Sequence, residues 1–214
     1  MKPPPILIVG LGGSLEPTSR SLASLKVALE GAQEGGARTE LLDIRALDLP
    51  MYRPSIREIS PSVQQMTEST YRAQGVIWSS PMYHGTVSGS FKNALDWLQL
   101  LARREPPYLT DKVVGLISTA GGVQGLQAVN TMEFVVRALR ALAVPLVVPV
   151  GQAYQAFDER GQVSDARVEE QLLALGREVV RVAGRLREGG RLEEECDRAK
   201  RRLAEASSEA ASDE

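Results

Sequence analysis

The sequence predicts an α/β chain built as a doubly wound parallel sheet of five strands with helices on both faces. Three observations carry that reading. Short apolar runs recur at 6–9, 75–79, 112–119 and 144–148, with a more mixed one at 38–44; helix-period patterns alternate with them; and glycine-rich turns follow the first and fourth runs. Runs apolar on both faces belong to strands covered on both sides, and alternation with helices implies right-handed βαβ units.

The first run, Ile6-Leu7-Ile8-Val9, breaks at Gly10, Gly12 and Gly13 into a segment holding Ser14, Thr18, Ser19 and Ser21, after which Leu22, Leu25, Val27 and Leu29 give a helix. Unpaired N–H groups of a first helical turn, the positive end of the helix dipole and these hydroxyls converge on one point. With Arg20 adding a guanidinium, the stretch suits a terminal phosphate monoester. It departs from the dinucleotide fingerprint, whose third glycine falls on Leu15, and from the P-loop, which needs a lysine. The same composition also suits a βα turn that binds nothing.

Gly31, Gly35 and Gly36 stop the first helix, and 38–44 forms the second strand. Residues 47–59, with Pro50 and Pro54, are too proline-rich for a regular element and form a surface loop. Ser60 and Pro61 start a short amphipathic helix through Val63, Met66 and Tyr71, before the third strand at 75–79. The fourth strand, 112–119, ends in Ala120-Gly121-Gly122-Val123-Gln124-Gly125, and a helix then runs through Met132, Val135, Val136, Leu139 and Leu142. Pro145 places the fifth strand, 144–148, at an edge or makes it a strand start. The last helix begins near Ser164 and Asp165 and carries Val168, Leu172, Leu175, Val179, Ala183 and Leu186 at spacings of three and four.

The domain so defined spans 1–188. Past Gly189-Gly190, residues 189–206 read as a charged helical extension. Its thin apolar seam, Leu192, Cys196, Ala199, Leu203 and Ala206, suits either a partner helix or a solvated surface helix. Residues 207–214 read as a disordered tail.

Composition narrows the function. Hydrophobic content of 43% and charged content of 24% are ordinary for a soluble globular chain. Lys and Arg number 25 against 27 Asp and Glu, a net charge of -2, so no basic footprint for nucleic acid is present and a small-molecule partner is indicated. One cysteine, Cys196, excludes an internal disulfide framework and fits a cytoplasmic protein, while a single histidine, His84, argues against a metal site. The apolar run after Pro3-Pro4-Pro5 is too short for a signal peptide or a membrane span.

Ligands of open α/β sheets sit beyond the C-terminal ends of the strands, and three loops fall there. The first is the hydroxyl-rich turn. The second carries Pro81, Met82, Tyr83, His84 and Gly85, and the third Thr119, Gly121 and Gly122. Glycines let main chain approach a planar heterocycle while Met82 and Tyr83 supply an apolar wall, so the second and third loops describe a slot for a flat ring.

The motifs GSLEPTSRSL, PMYHGTVSGSFKNALDWL and STAGGVQG resemble, in order and spacing, the NAD(P)H-dependent FMN reductases. That flavodoxin-like group also includes quinone, azo-dye and chromate reductases, and the resemblance covers about residues 6–186. It implies strand order 2-1-3-4-5, FMN as cofactor, and NADPH or NADH as electron donor. By the same resemblance Ser14 and Ser19 match phosphate-binding serines, with Arg20 and Ser21 beside them. Glu16 departs, standing where many relatives carry Arg. Pro81, Met82, Tyr83, His84 and Gly85 correspond to the flavin-contacting loop, and Thr119, Gly121 and Gly122 to the loop at the isoalloxazine edge. Lys92, Asn93, Asp96 and Trp97 match a helix often found at the dimer contact, read here as structural.

The implied function is passage of hydride from NAD(P)H to FMN and on to a flavin, quinone or similar acceptor by a ping-pong mechanism, in a homodimer or homotetramer. Flavin N5 carries the chemistry and no catalytic side chain is required. His84 is read as a hydrogen-bonding loop residue ahead of a catalytic acid, Tyr83 as either a packing residue or a face of the slot, and Asp43 as a helix cap ahead of a ribose-binding acid. A non-enzymatic flavodoxin-type carrier and an NAD(P)H-sensing regulator are the rival readings.

Overall fold

The computed structural model describes residues 4–212, with side chains as far as Gly190. Its strands are β1 (Leu7–Gly12), β2 (Arg38–Asp43), β3 (Gly75–Tyr83), β4 (Thr86–Val87), β5 (Val113–Thr119) and β6 (Leu142–Val150). Five of them form one parallel sheet in the order β2-β1-β3-β5-β6, with β4 antiparallel to β3. Without β4 this is the expected 2-1-3-4-5 order. Counted over all strands it becomes 2-1-3-5-6, because a five-stranded expectation overlooks the β3–β4 hairpin.

The turn explains the difference. His84 and Gly85 both have left-handed backbones, φ 51° and 83°, as a two-residue type I′ hairpin demands. Strand β3 therefore does not stop at Ser79. It runs on through Pro81 and folds back, pairing Met82 with Val87 and Tyr83 with Thr86.

The helices are α1 (Arg20–Glu34), α2 (Ile44–Leu47), α3 (Pro61–Arg72), α4 (Gly89–Trp97), α5 (Leu126–Ala138), α6 (Ala153–Ala156) and α7 (Ala166–Ser212), with a 3₁₀ stretch at Leu98–Arg103. Alternate strand residues face opposite layers. Val9, Leu11, Val76, Trp78, Val114 and Leu116 join one core with Val63 and Met66 of α3, Phe91 and Trp97 of α4, and Met132 and Val136 of α5. On the other face Gly10 admits Leu25 and Leu29 of α1, while Gly75 and Gly115 admit Val179 of α7, whose nearest methyls would lie 2.9 and 2.7 Å from an added Cβ. Small residues in the strands let these two helices lie close to the sheet.

Caps follow the sequence. Ser60 accepts from the Val63 amide with Pro61 opening α3, Ser88 accepts from the Phe91 amide at α4, and Asp43 caps α2 by accepting from the Arg45 amide. The loop at 47–59 is pinned from α4. Asn93 accepts from the Tyr52 amide at 2.8 Å and donates to the Pro50 carbonyl, which also receives the Trp97 indole N–H at 2.8 Å. Strands β2 and β6 form the two margins of the sheet, and β6 carries Pro145 and Pro149.

The chain divides into two compact units, one ending at Ala183 and one beginning at Gly184. In the second, the backbone is helical as far as Ser212, with Gly189 and Gly190 inside the helix. The expected seam of Leu192, Cys196, Ala199, Leu203 and Ala206, and the expected disordered tail from Ser207, lie outside the residues whose side chains are described. Among the described residues no helix is long and apolar enough to cross a membrane.

Candidate functional site

Strand order reverses between β1 and β3, and a well-formed cleft opens beyond their C-terminal ends. Its volume is about 430 Å³, within the range of small-molecule sites. Gly12 and Gly13 shape its floor. A Cβ on Gly12 would overlap the Ser79 carbonyl, and Gly13, with φ 105°, donates its amide to that same carbonyl at 3.1 Å. Only glycine lets β1 end this close to β3 before turning outward.

Hydroxyls around the cleft divide into two groups. Ser19 caps α1, accepting from the Leu22 amide at 3.2 Å, and lies 3.2 Å from the Ser21 hydroxyl. The hydroxyls of Ser79, Ser80 and Ser118 bond to the carbonyls of Ser21, Pro81 and Gly125 and hold the three loops in place. By contrast, the side chains of Ser14, Thr18, Arg20 and Thr119 line the cleft with no hydrogen-bond partner among the described residues. With the Tyr83 phenol, which also lines the cleft unpartnered, these are the side-chain donors left for a ligand among the described residues.

The rest of the lining is largely apolar. Pro81, Met82 and Tyr83, at the end of β3, supply one wall, and Ala120, Gly121 and Ala153 another. A Cβ on Gly121 or Gly122 would meet nothing within 4 Å, and neither has a positive φ. Neither packing nor backbone conformation calls for glycine there, so the missing side chains leave room in front of the main chain for a planar group. The loop is braced from behind. Gln152 donates to the Gly122 carbonyl and Ala153 to the Ala120 carbonyl, both at 2.9 Å.

Of the residues singled out in the sequence, Ser14, Arg20, Ser21, Pro81, Met82, Tyr83, Thr119 and Gly121 line this one cleft. Ser19, His84, Gly85 and Gly122 do not; Ser19 sits behind the loop as a cap, and His84 and Gly85 are the hairpin turn. Arg45, Arg53 and Arg57 are also absent from the lining. Sequence reading missed Ala153, Asp158, Glu159 and Gly161, which come from the segment after β6. The signal was there: β6 is itself a parallel strand, and its C-terminal end is followed by a turn in which Asp158 accepts from the amides of Arg160 and Gln162, at 2.9 and 2.8 Å. Among the described residues no group of three or more His, Cys, Asp or Glu is placed to hold a metal ion.

A set of unpartnered hydroxyls, an apolar wall and an open glycine edge are features that the two ends of a flavin mononucleotide would use. Comparison with known proteins agrees. A profile of the NADPH-dependent FMN reductase family matches residues 6–155. An NADPH-dependent FMN reductase, ArsH, from Rhizobium meliloti (strain 1021) is 30% identical over 178 residues, covering 83% of this chain and 71% of the relative. An FMN-dependent NADPH-azoreductase from Staphylococcus aureus (strain USA300) is 30% identical over 154 residues, 70% of this chain and 79% of the relative. Among solved structures, the flavoenzyme NAD(P)H:(acceptor) oxidoreductase FerB from Paracoccus denitrificans superposes with a TM-score of 0.68 at 22% identity, over 84% of this chain and 98% of that one.

Proposed function

Since the chain belongs to the NADPH-dependent FMN reductase family, an NAD(P)H-dependent oxidoreductase group that uses FMN, we propose that its cleft holds the flavin with the phosphate toward Ser14, Thr18 and Arg20 and the ring against Met82, Tyr83 and Gly121. The observation that carries this is the division of hydroxyls: those of Ser14 and Thr18 line the cleft without a partner among the described residues, while those of Ser79 and Ser118 are spent on loop carbonyls.

Bound flavin supplies the redox chemistry, accepting a hydride and passing two electrons onward. The protein's own task is to hold, orient and leave one face open. Main chain at Gly121 offers an N–H edge where no side chain intervenes, and Tyr83, half exposed, borders the opening through which a nicotinamide or an acceptor enters. One opening serves both in turn, so donor and acceptor exchange by a ping-pong scheme. The acceptor is a flavin, a quinone or a similar small molecule, and the site works in the cytoplasm.

A homodimer is part of this proposal. Tyr83 at the end of β3, Val123 in the loop after β5 and Tyr154 in α6, exposed by 50, 75 and 56%, leave apolar surface that a second subunit would cover. Light scattering on the full chain reads the mass directly.

The test of the function is anaerobic addition of NADPH to flavin-loaded protein, followed by a quinone. Bleaching and recovery of the flavin absorbance, with parallel double-reciprocal lines in the steady state, are expected. NADPH binding without oxidation would turn the reading toward a nucleotide sensor.

A further inference from the structure

The cleft contains an electrostatic contradiction. Beside the free hydroxyls it is lined by one cation, Arg20, and three carboxylates, Glu16, Asp158 and Glu159. Glu16 lies in the hydroxyl loop itself. Asp158 and Glu159 belong to the turn closed by the Gly161 amide bonding to the Asp158 carbonyl at 2.9 Å, and this turn abuts the loop so tightly that a Cβ on Gly161 would overlap the Thr18 methyl. Both acidic elements therefore stand at the hydroxyl end of the cleft. None of the three carboxylates is neutralised by an ion pair among the described residues. Asp158 and Glu159 also lie past residue 155, where the family match ends.

A cleft of about 430 Å³ is on the order of 8 Å across, comparable to the Debye length of about 8 Å at physiological ionic strength, so charges lining it act on a ligand from within about one screening length and respond to salt. A phosphate monoester carries between about one and a half and two negative charges at neutral pH. Against it stands a lining whose formal charge is minus two, one Arg against three carboxylates. Hydroxyl and amide donors attract the phosphate at short range, and the carboxylates oppose it at longer range.

We infer that Glu16, Asp158 and Glu159 are specificity-determining residues that cancel most of the advantage of the phosphate, so that this cleft takes riboflavin and FMN with comparable affinity. The inference rests on the flavin reading of the cleft. It makes the acidic turn after β6, together with Glu16, the element that decides how much the phosphate counts.

The experiment is a pair of titrations of the full-length chain, with FMN and with riboflavin, followed by flavin fluorescence at low and at moderate salt. Dissociation constants within about tenfold of one another are expected, with FMN binding strengthened by added salt and riboflavin binding unmoved, because screening relieves a net repulsion. Glu16→Gln and Glu159→Gln should each tighten FMN by about two- to fivefold and leave riboflavin alone. Asp158 is left intact because its carboxylate holds the turn. FMN binding more than a hundredfold tighter than riboflavin, weakened by salt and indifferent to both substitutions, would overturn the inference and leave the proposed function standing. Failure of both flavins to bind would overturn the two together.

Discussion

Gly176 of α7 packs against Ala28 of α1 so closely that a Cβ on the glycine would overlap the Ala28 carbonyl oxygen and come within 2.6 Å of the Ala32 amide nitrogen. Gly31 makes the reciprocal approach to Leu173. The two helices touch backbone to backbone, and α1 is the helix whose first turn carries the hydroxyl loop.

Gly176→Ala should therefore destabilise the chain although alanine is the better helix former. Helix propensity favours the substitution by about 1 kcal/mol, while forcing main chain apart in a packed layer costs about 1–3 kcal/mol or more. A lowered urea midpoint at unchanged m-value is the expected result; a raised midpoint would mean that the helices can separate freely.

Asn93 ties α4 to the loop at 47–59 through bonds to Tyr52 and Pro50. Asn93→Ala leaves the Tyr52 amide without its acceptor, while the Pro50 carbonyl keeps the Trp97 indole N–H, and should cost about 1–3 kcal/mol. Amide exchange at Tyr52 should accelerate more than exchange in β1, which the substitution does not touch.

For the phosphate end, Ser14→Ala is the clean probe. Ser19→Ala should also lower FMN affinity more than riboflavin affinity, but Ser19 caps α1, and loss of a cap costs about 1 kcal/mol of stability on its own. The Ser14 hydroxyl supports nothing else among the described residues. Its loss should weaken FMN about tenfold, the scale of a hydrogen bond to a charged group, and spare riboflavin. Equal losses for both ligands would move the phosphate elsewhere.

His84 occupies the left-handed first position of the hairpin turn and is not part of the cleft lining. His84→Asn suits that conformation and should preserve both turnover and its pH profile, whereas His84→Val should cost about 1–3 kcal/mol in backbone strain. An altered pH profile in the asparagine variant would restore an acid–base role.

Lys112 gives a pH dependence with a definite sign. Burial pushes its ammonium below the ordinary lysine value, while its Nζ donates to the Ala73 carbonyl at 2.8 Å. The folded chain holds this proton less tightly than the unfolded one. Its contribution to stability accordingly rises with pH between the lowered value and the usual lysine range. Lys112→Met should flatten that slope in urea midpoints measured across alkaline pH.

Much of this was legible in the residues. Ser60 before Pro61, alternating apolar runs, and hydroxyls after a glycine-broken strand each have a local physical cause, and each appears where that cause places it. Close approach was harder. The fingerprint's third glycine, which gives close helix–strand packing, falls on Leu15, yet Gly10 provides that approach from inside the strand, 2.8 Å from a Leu29 methyl to an added Cβ. Which face of β1 a glycine occupies is fixed by the register with its neighbours. Likewise, the distinction between Ser14 and Ser19 depends on which hydroxyl the helix start consumes, and Asp158 reaches the cleft only through the crossover that brings β6 beside β5.

The prolines of β6 have a consequence for what this protein avoids. A marginal strand normally offers a template on which a stranger's chain can grow, the route to swapped domains and amyloid-like fibres. Pro145 and Pro149 contribute no N–H to that margin and set two rigid rings along it. At the opposite margin, Arg38 and Glu40 put charges on β2. Both borders of the sheet thus discourage further strands, and a long-lived association between copies has to be made by helices and loops.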